Sequence, residues 1–342
     1  MIVNKKRLDG ISFINVDNEN GLQVTLCSFG ASLYDIKVKD YNNNLESVIL
    51  TPKDLNDFKY STAYYGKSVG RYAGRISNGK CIVDNKSYNL ALNSLDHDSL
   101  HGGNDALSFK NFNYKVINND KYTKVVFFLV DKALDLPGTC LIKIIYKIYK
   151  DKNEILCNYQ ATSDKDTLMN LTNHAYFNLS GDGKDTVLNH KLKLYCDKYT
   201  KLDNYLITTS IEKVNNIMDF QKGHLIKKYI KDSSLVNHQS NGYDHCFLKS
   251  NNSKKKIAIL SDRKSKRKLT IYTSYPSVVC YSCNYPENVL FNPDIYIKKH
   301  HAICLECQFI PNGINMDNQE KAILYKNQKY NQYIRYVFDL MK

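Results

Sequence analysis

The sequence predicts an all-β protein, a large antiparallel β-sandwich with few short helices. Three observations carry this. Apolar and polar residues alternate with period two in run after run. Turn clusters rich in Asn, Asp and Gly separate the runs. No long helix-period segment alternates with them, which argues against a βαβ architecture.

The first clear run has Leu22, Val24 and Leu26 alternating with Gln23, Thr25 and Cys27. Gly30-Ala31 breaks it, and Leu33-Tyr34-Asp35-Ile36-Lys37-Val38 begins another. Thr51-Pro52-Lys53-Asp54-Leu55 reads as a helix start, with a cap, a proline in the first turn and an acid soon after. Ile142, Ile144, Tyr146 and Ile148 alternate with Lys143, Ile145, Lys147 and Tyr149. Leu192 and Leu194 alternate with Lys191 and Lys193, and Leu269 and Ile271 are flanked by Lys268, Thr270 and Tyr272. Such alternation marks half-buried antiparallel strands. Asn42-Asn43-Asn44, Asn118-Asn119-Asp120, Gly181-Asp182-Gly183 and Asn251-Asn252-Ser253 read as the turns. Residues 317–326 read as a further helical turn or two. With no repeat and no linker-like segment, residues 1–342 read as a single domain.

Formal charge is 48 − 34 = +14, which invites a nucleic-acid or membrane-surface reading. The lysines, however, are spread along the whole chain. They belong to a general bias toward Lys, Asn, Ile and Tyr, with no Trp and six Pro. No specific nucleic-acid partner is expected. The densest clusters, Lys254-Lys255-Lys256 and Arg263-Lys264-Ser265-Lys266-Arg267-Lys268, flank two strand-like runs, where a solvated hairpin would place them. No apolar run approaches about 18 residues, so no membrane span is expected. Met1 to Gly10 lacks a signal-peptide core. A cytoplasmic location and reduced thiols at the ten cysteines follow as expectations.

Five stretches break the Lys/Asn/Ile monotony. In Tyr64-Tyr65-Gly66-Lys67-Ser68-Val69-Gly70-Arg71-Tyr72-Ala73-Gly74-Arg75-Ile76, two arginines among small residues can grip a polyol or a carboxylate, or serve as structural ion-pair partners. The glycines of Leu100-His101-Gly102-Gly103 let backbone approach a ligand, although His101 could equally bond a turn. Asn170 to Gly181 carries amides, hydroxyls, aromatics and His174 but no permanent charge, as the wall of a pocket would. A half-buried structural histidine is the plainer reading there. Asp244, in Tyr243-Asp244-His245, could bind a ligand or cap a loop. Glu306 lies in an apolar strand, between Ala302-Ile303-Cys304-Leu305 and Phe309-Ile310. A buried acid must be paired or protonated.

Together these stretches resemble the aldose 1-epimerases, also called galactose mutarotases. The most specific match is Asn-Leu-Thr-Asn-His-x-Tyr-Phe-Asn-Leu at 170–179. Arg-x-Ala-x-Arg-Ile, Leu-His-Gly-Gly, Pro137-Gly138, Tyr-Asp-His and Glu-x-Gln also stand in the family's order. The resemblance runs from near Gly21 to the strand Tyr330 to Leu340. It implies a single-domain antiparallel β-sandwich that interconverts the α and β anomers of free aldoses, such as galactose or glucose. It implies Glu306 as general base, His174 as general acid and His101 as an assisting imidazole. Arg75, His101, Asp244 and Tyr176 are implied as sugar contacts. No metal or redox cofactor is implied, because a hemiacetal carries its own leaving group. A monomer is expected. The chain departs from the family pattern at Gly74 (often Asn), Val279 (often Gln), Asn312 (often Asp) and Phe112 (usually Trp).

Three rival readings stand beside this one. Cys280-x-x-Cys283, twenty intervening residues and Cys304-x-x-Cys307 have zinc-ribbon spacing. Both pairs lie in strand-like runs, though, where residues three apart point to opposite faces. A hexose-6-phosphate 1-epimerase would need a cationic phosphate pocket. A non-catalytic sugar-binding domain of the same fold would have less reason to keep a buried acid opposite an imidazole.

Overall fold

The computed structural model describes residues 1–236, 238–317 and 319–342. The period-two runs fold as strands where the sequence places them. Leu22–Cys27 pairs antiparallel with Ser32–Lys39, and with Ile2–Leu8, Ile11–Asp17 and Leu45–Ser47 they form a five-stranded sheet. Cys140–Tyr149 turns Cys140, Ile142, Ile144, Tyr146 and Ile148 inward. It belongs to a nine-stranded sheet in which the C-terminal strand, Tyr330–Leu340, pairs between Glu154–Ser163 and Arg267–Thr273.

A six-stranded sheet positions the cleft. Its order is Tyr176–Phe177, Ile303–Gln308, Ser277–Tyr281, Asp244–Lys249, Cys196–Leu202 and Thr208–Lys213. Alternation sends its side chains two ways. Phe247, Val278, Cys280, Leu305 and Cys307 enter a core shared with Ile144, Tyr146 and Tyr336 of the nine-stranded sheet and Val24 and Ile36 of the five-stranded one. Each such buried side chain contributes about 1.5–3 kcal/mol. The residues between them, Asp244, Cys246, Val279, Tyr281, Glu306 and Gln308, line an open cleft. Register carries this across the sheet: Val279 pairs with Glu306 and with Cys246, and Tyr281 pairs with Asp244 and Cys304.

Three local expectations are corrected. The first helix is Leu55–Tyr60, and its N-cap is Asp54, whose carboxylate accepts from the amides of Asn56 and Asp57. Pro52 precedes it in an isolated bridge to Phe291. The helical turn expected at 317–326 is replaced by the strand Ile323–Leu324, paired with Thr167–Leu168; Asn318 lies outside the described residues. Finally, Arg267 is not solvated. It is buried, with Nη2 2.9 Å from Glu46 Oε2 and Nε donating to the Val38 carbonyl. No helix among the described residues is long and apolar enough to cross a membrane.

Candidate active site

The cleft encloses about 460 Å³, and all six residues singled out in the sequence line it: Arg75, His101, His174, Tyr176, Asp244 and Glu306. Their supports come from backbone stitching. In the 170–179 run most side chains hold neighbouring segments instead of facing the cleft. Asn170 donates to the Ala73 and Phe309 carbonyls and accepts from the Phe309 amide. Thr172 Oγ1 donates to the Cys307 carbonyl, and Asn173 Nδ2 to that of Gly66. The run thus clamps the Arg75 segment and the Glu306 strand around His174. Only His174 and Tyr176 of this run line the cleft, which narrows the pocket-wall expectation to two side chains.

His174 Nε2 lies 3.4 Å from Glu306 Oε1, and both residues are buried. The imidazole stacks on Tyr176 with ring centroids 5.2 Å apart, and meets His101 edge-on at 5.4 Å. Burial brings His174 down to about 4. Burial pushes Glu306 well above the usual carboxylate range, with Asp244 adding to the push and Arg75 opposing it. His174 therefore holds a proton weakly and Glu306 holds one tightly.

His101 sits at the end of the two-stranded ladder of Arg75–Ile76 and Ser99–Leu100. Its Nδ1 accepts a hydrogen bond from the Gly74 amide at 3.2 Å, which leaves the proton of the neutral ring on Nε2. Burial, His174 and Arg75 keep it neutral, well below the usual imidazole value. The neighbouring Gly102 has φ +91°, and a Cβ there would come 2.3 Å from the Gly70 carbonyl oxygen, so only glycine fits. Donor atoms of His101, His174 and Glu306 lie within 4.8 Å of one another, as metal ligands can. A ligating histidine donates its second N–H outward. His101 instead accepts there, so its Nε2 is a hydrogen-bond donor to the cleft.

Arg75 Nη1 lies 3.7 Å from Asp244 Oδ2 on the cleft wall. Burial raises Asp244 and Arg75 opposes that. Arg71, four residues earlier, does not join them. It is buried against Asp131, with Nε 2.6 Å from Oδ2, and donates to the carbonyls of Asp131, Pro137 and Gly138. The four cysteines with zinc-ribbon spacing separate: Cys304 and Cys307 leave opposite faces of the Ile303–Gln308 strand, and Cys283, expected in a strand, lies beyond the end of Ser277–Tyr281. Cys280 and Cys307 join the main core, and Cys283 and Cys304 a second cluster with Tyr65 and Phe291. Burial pushes Cys283 and Cys307 up to about 12, so they are thiols.

Sequence reasoning did not assign Tyr64, Tyr281, Thr208 or Gln308 to the site, yet all line the cleft. Gln308 was visible in Glu-x-Gln, and Tyr281 in its strand; their placement depends on cross-strand register.

A buried carboxylate and imidazole on one face of a β-sheet, beside an arginine–carboxylate pair, define an acid–base enzyme on a β-sandwich. Comparison with known proteins gives the family. The aldose 1-epimerase family model matches residues 12–337. The galactose mutarotase of Mus musculus is 31% identical over 317 residues, covering 91% of this chain and 89% of that protein. The aldose 1-epimerase of Streptococcus thermophilus is 28% identical over 349 residues, with 98% and 97% covered. Among solved structures, the GalM/aldose epimerase homologue from C. elegans superposes with a TM-score of 0.87 at 29% identity, over 96% of this chain and 99% of that one. The chain belongs to the aldose 1-epimerase family and is an isomerase acting on carbohydrate.

Proposed function

We propose that the protein interconverts the α and β anomers of free aldoses such as galactose or glucose, with Glu306 as base and His174 as acid. The observation that carries this is the buried His174–Glu306 pair, 3.4 Å apart in the cleft. Ring opening requires a base on O1–H and an acid at the ring oxygen. Both oxygens hang on one carbon, so acid and base must stand close together. Glu306 takes the O1 proton as His174 protonates the ring oxygen, the C1–O5 bond breaks and the aldehyde forms. C1 turns about the C1–C2 bond. The ring closes on the other face as Glu306 returns its proton to O1 and His174 recovers the proton from O5. His101 Nε2–H stabilises charge developing on the ring oxygen. Arg75 and Asp244 orient ring hydroxyls, and Tyr176 gives an aromatic surface beside His174. Each positioned acid or base supplies roughly 10²–10⁴-fold. The reaction needs no metal or redox cofactor.

The cleft favours a free sugar over a hexose 6-phosphate. Among the described residues, Arg75 is its one cationic side chain, set against the carboxylates of Asp244, Glu287 and Glu306. One core cluster running from Ile14 to Phe338 supports reading residues 1–342 as a single domain. We carry forward a cytoplasmic monomer, without a specific nucleic-acid or membrane partner, as part of the same reading.

Polarimetry of freshly dissolved α-D-galactose tests the proposal, against a buffer blank. Wild type should accelerate mutarotation. Glu306→Gln should lose at least about 10²-fold while still binding sugar by calorimetry, because Gln keeps shape but not basicity. A variant with near-normal rates would remove Glu306 as the base.

A further inference from the structure

Arg75 is held loosely for a side chain that has to orient a sugar. Its Nε lies 3.4 Å from Ser94 Oγ and its Nη1 3.7 Å from Asp244 Oδ2, both long. Its place in the cleft therefore depends on where its backbone is fixed. Ser99–Leu100 pairs along one edge of the Arg75–Ile76 strand. The other edge presents the Arg75 carbonyl and, two residues on, the Ser77 amide, and one residue takes both. Asn312 donates its main-chain N–H to the Arg75 carbonyl at 2.9 Å, and its Oδ1 accepts from the Ser77 amide at 3.1 Å. It stands in for a neighbouring strand.

A backbone N–H can only donate, so Ser77 fixes which way the Asn312 carboxamide faces. Oδ1 also accepts from Asn315 Nδ2 at 3.0 Å, and Nδ2 points at the Thr208 carbonyl, 3.5 Å away on the outer strand of the six-stranded sheet. Asn312 is buried and has φ +60°, a conformation that Asn takes more readily than most residues. Pro311, which lines the cleft, seats the turn on the arginine strand. A Cβ on Gly74 would come 2.7 Å from Pro311 Cβ, so the approach is closer than any other residue at 74 would allow. Gly74 and Asn312, two positions at which the sequence departs from the family pattern, thus fall on the two sides of one contact. The turn also follows directly on the Ile303–Gln308 strand, with Glu306 six residues before Asn312. A residue that grips Arg75 from this turn fixes the arginine relative to the base.

We propose that Asn312 is a positioning residue that sets Arg75 against Glu306, so that the hydroxyl-binding side chain and the base meet one sugar together. The inference rests on the aldose 1-epimerase reading and deepens it. Asn312 does not line the cleft and acts through Arg75. Displacing a positioning group by about 1 Å can cost about 10²-fold in rate. The side chain, and not only the left-handed turn, does the holding, because the Ser77 bond is made by Oδ1.

The test measures kcat and KM on α-D-galactose for wild type, Asn312→Gly and Asn312→Asp, at a temperature where all three are folded. Gly keeps the backbone conformation and removes the side chain; Asp keeps the acceptor for Ser77. Asn312→Gly should lose about tenfold or more in kcat/KM, mainly through KM, because Arg75 binds hydroxyls. Asn312→Asp should recover most of that loss. In an Arg75→Met background Asn312→Gly should cost less than about twofold, because the group it positions is gone. Wild-type constants in Asn312→Gly, an Asn312→Asp as poor as Asn312→Gly, or an undiminished loss in the Arg75→Met background each overturn the role. The same cycle, read as calorimetric galactose binding with Glu306→Gln added throughout, separates the two readings. Coupling between positions 312 and 75 in binding, with a wild type that accelerates nothing, keeps the positioning role and removes the epimerase. A protein that neither binds nor accelerates removes both.

Discussion

Burial acts on Glu306 and His174 in opposite directions, raising the carboxyl and bringing the imidazole down to about 4. Both shifts disfavour a net charge on the pair. With two protons the pair would be cationic, with none anionic, and a low-dielectric cleft resists either state. The one-proton pair is therefore held over a wide pH range; its proton rests mainly on Glu306, and ring opening proceeds from the arrangement that places it on His174 and leaves Glu306 free to accept the O1 proton. The sign follows directly. Below about pH 4 His174 and Glu306 are both protonated and the base is blocked. Above the raised Glu306 value neither holds a proton and the acid is empty. The kcat/KM profile for galactose, corrected for the blank, should be a plateau with its acid limb near pH 4 and its alkaline limb well above the ordinary carboxylate range. An acid limb near 6.5, the ordinary imidazole value, would mean that burial does not bring His174 down in the working enzyme.

At the scale of elements, two arginines four residues apart do unrelated work. Arg71, just before the Arg75–Ile76 strand, ties that segment to Asp131 at the end of Tyr122–Asp131 and to the Pro137-Gly138 turn. Arg75 stands in the cleft beside Asp244. Arg71→Met should cost about 3 kcal/mol in urea unfolding, because it leaves Asp131 buried with Lys110 as its remaining partner. Arg75→Met should instead raise KM with a smaller change in the unfolding midpoint. The reverse pattern would exchange their roles. Nothing local in Arg-x-Ala-x-Arg separates the two, since the carboxylates that claim them lie 60 and 169 residues away. The same limit explains what else the sequence concealed. Period-two runs announced the strands, and the motif stretches announced His174, Tyr176 and Glu306, because both signals are local. The helix cap fell on Asp54 instead of Thr51 once Pro52 bridged to Phe291. Residues 323–324 became a strand because Thr167–Leu168 is their partner. Thr208 and Gln308 entered the site through register across the six-stranded sheet, which no single stretch encodes.

Over the whole molecule, the +14 charge is carried outside, and among the described residues the buried cations are Lys67, Arg71 and Arg267. Each arginine has a carboxylate partner. Lys67 is held differently. Its Nζ donates to the Lys59 and Ser61 carbonyls at the end of the Leu55–Tyr60 helix and lies 4.7–5.4 Å from the ring centroids of Phe29, Phe58 and Phe109. Its main-chain carbonyl accepts from the His174 amide, so this cage joins the helix, the aromatic cluster and the candidate active site. Burial, the dominant cause, brings its ammonium down to about 7 from an ordinary 10.5. Between those values the unfolded chain binds a proton that the folded one has released, so this contribution to stability rises with pH. It is fully present above 10.5 and is lost as pH falls toward 7. The slope is up to about 1.4 kcal/mol per pH unit. Other groups titrate in the same range, so the measurement is a difference: urea unfolding of wild type and of Lys67→Met at a series of pH values from neutral to alkaline. Wild type should gain stability relative to Lys67→Met as pH rises. Parallel curves would mean that Lys67 keeps its proton in the fold, with the aromatic rings and helix carbonyls fully compensating the lost water.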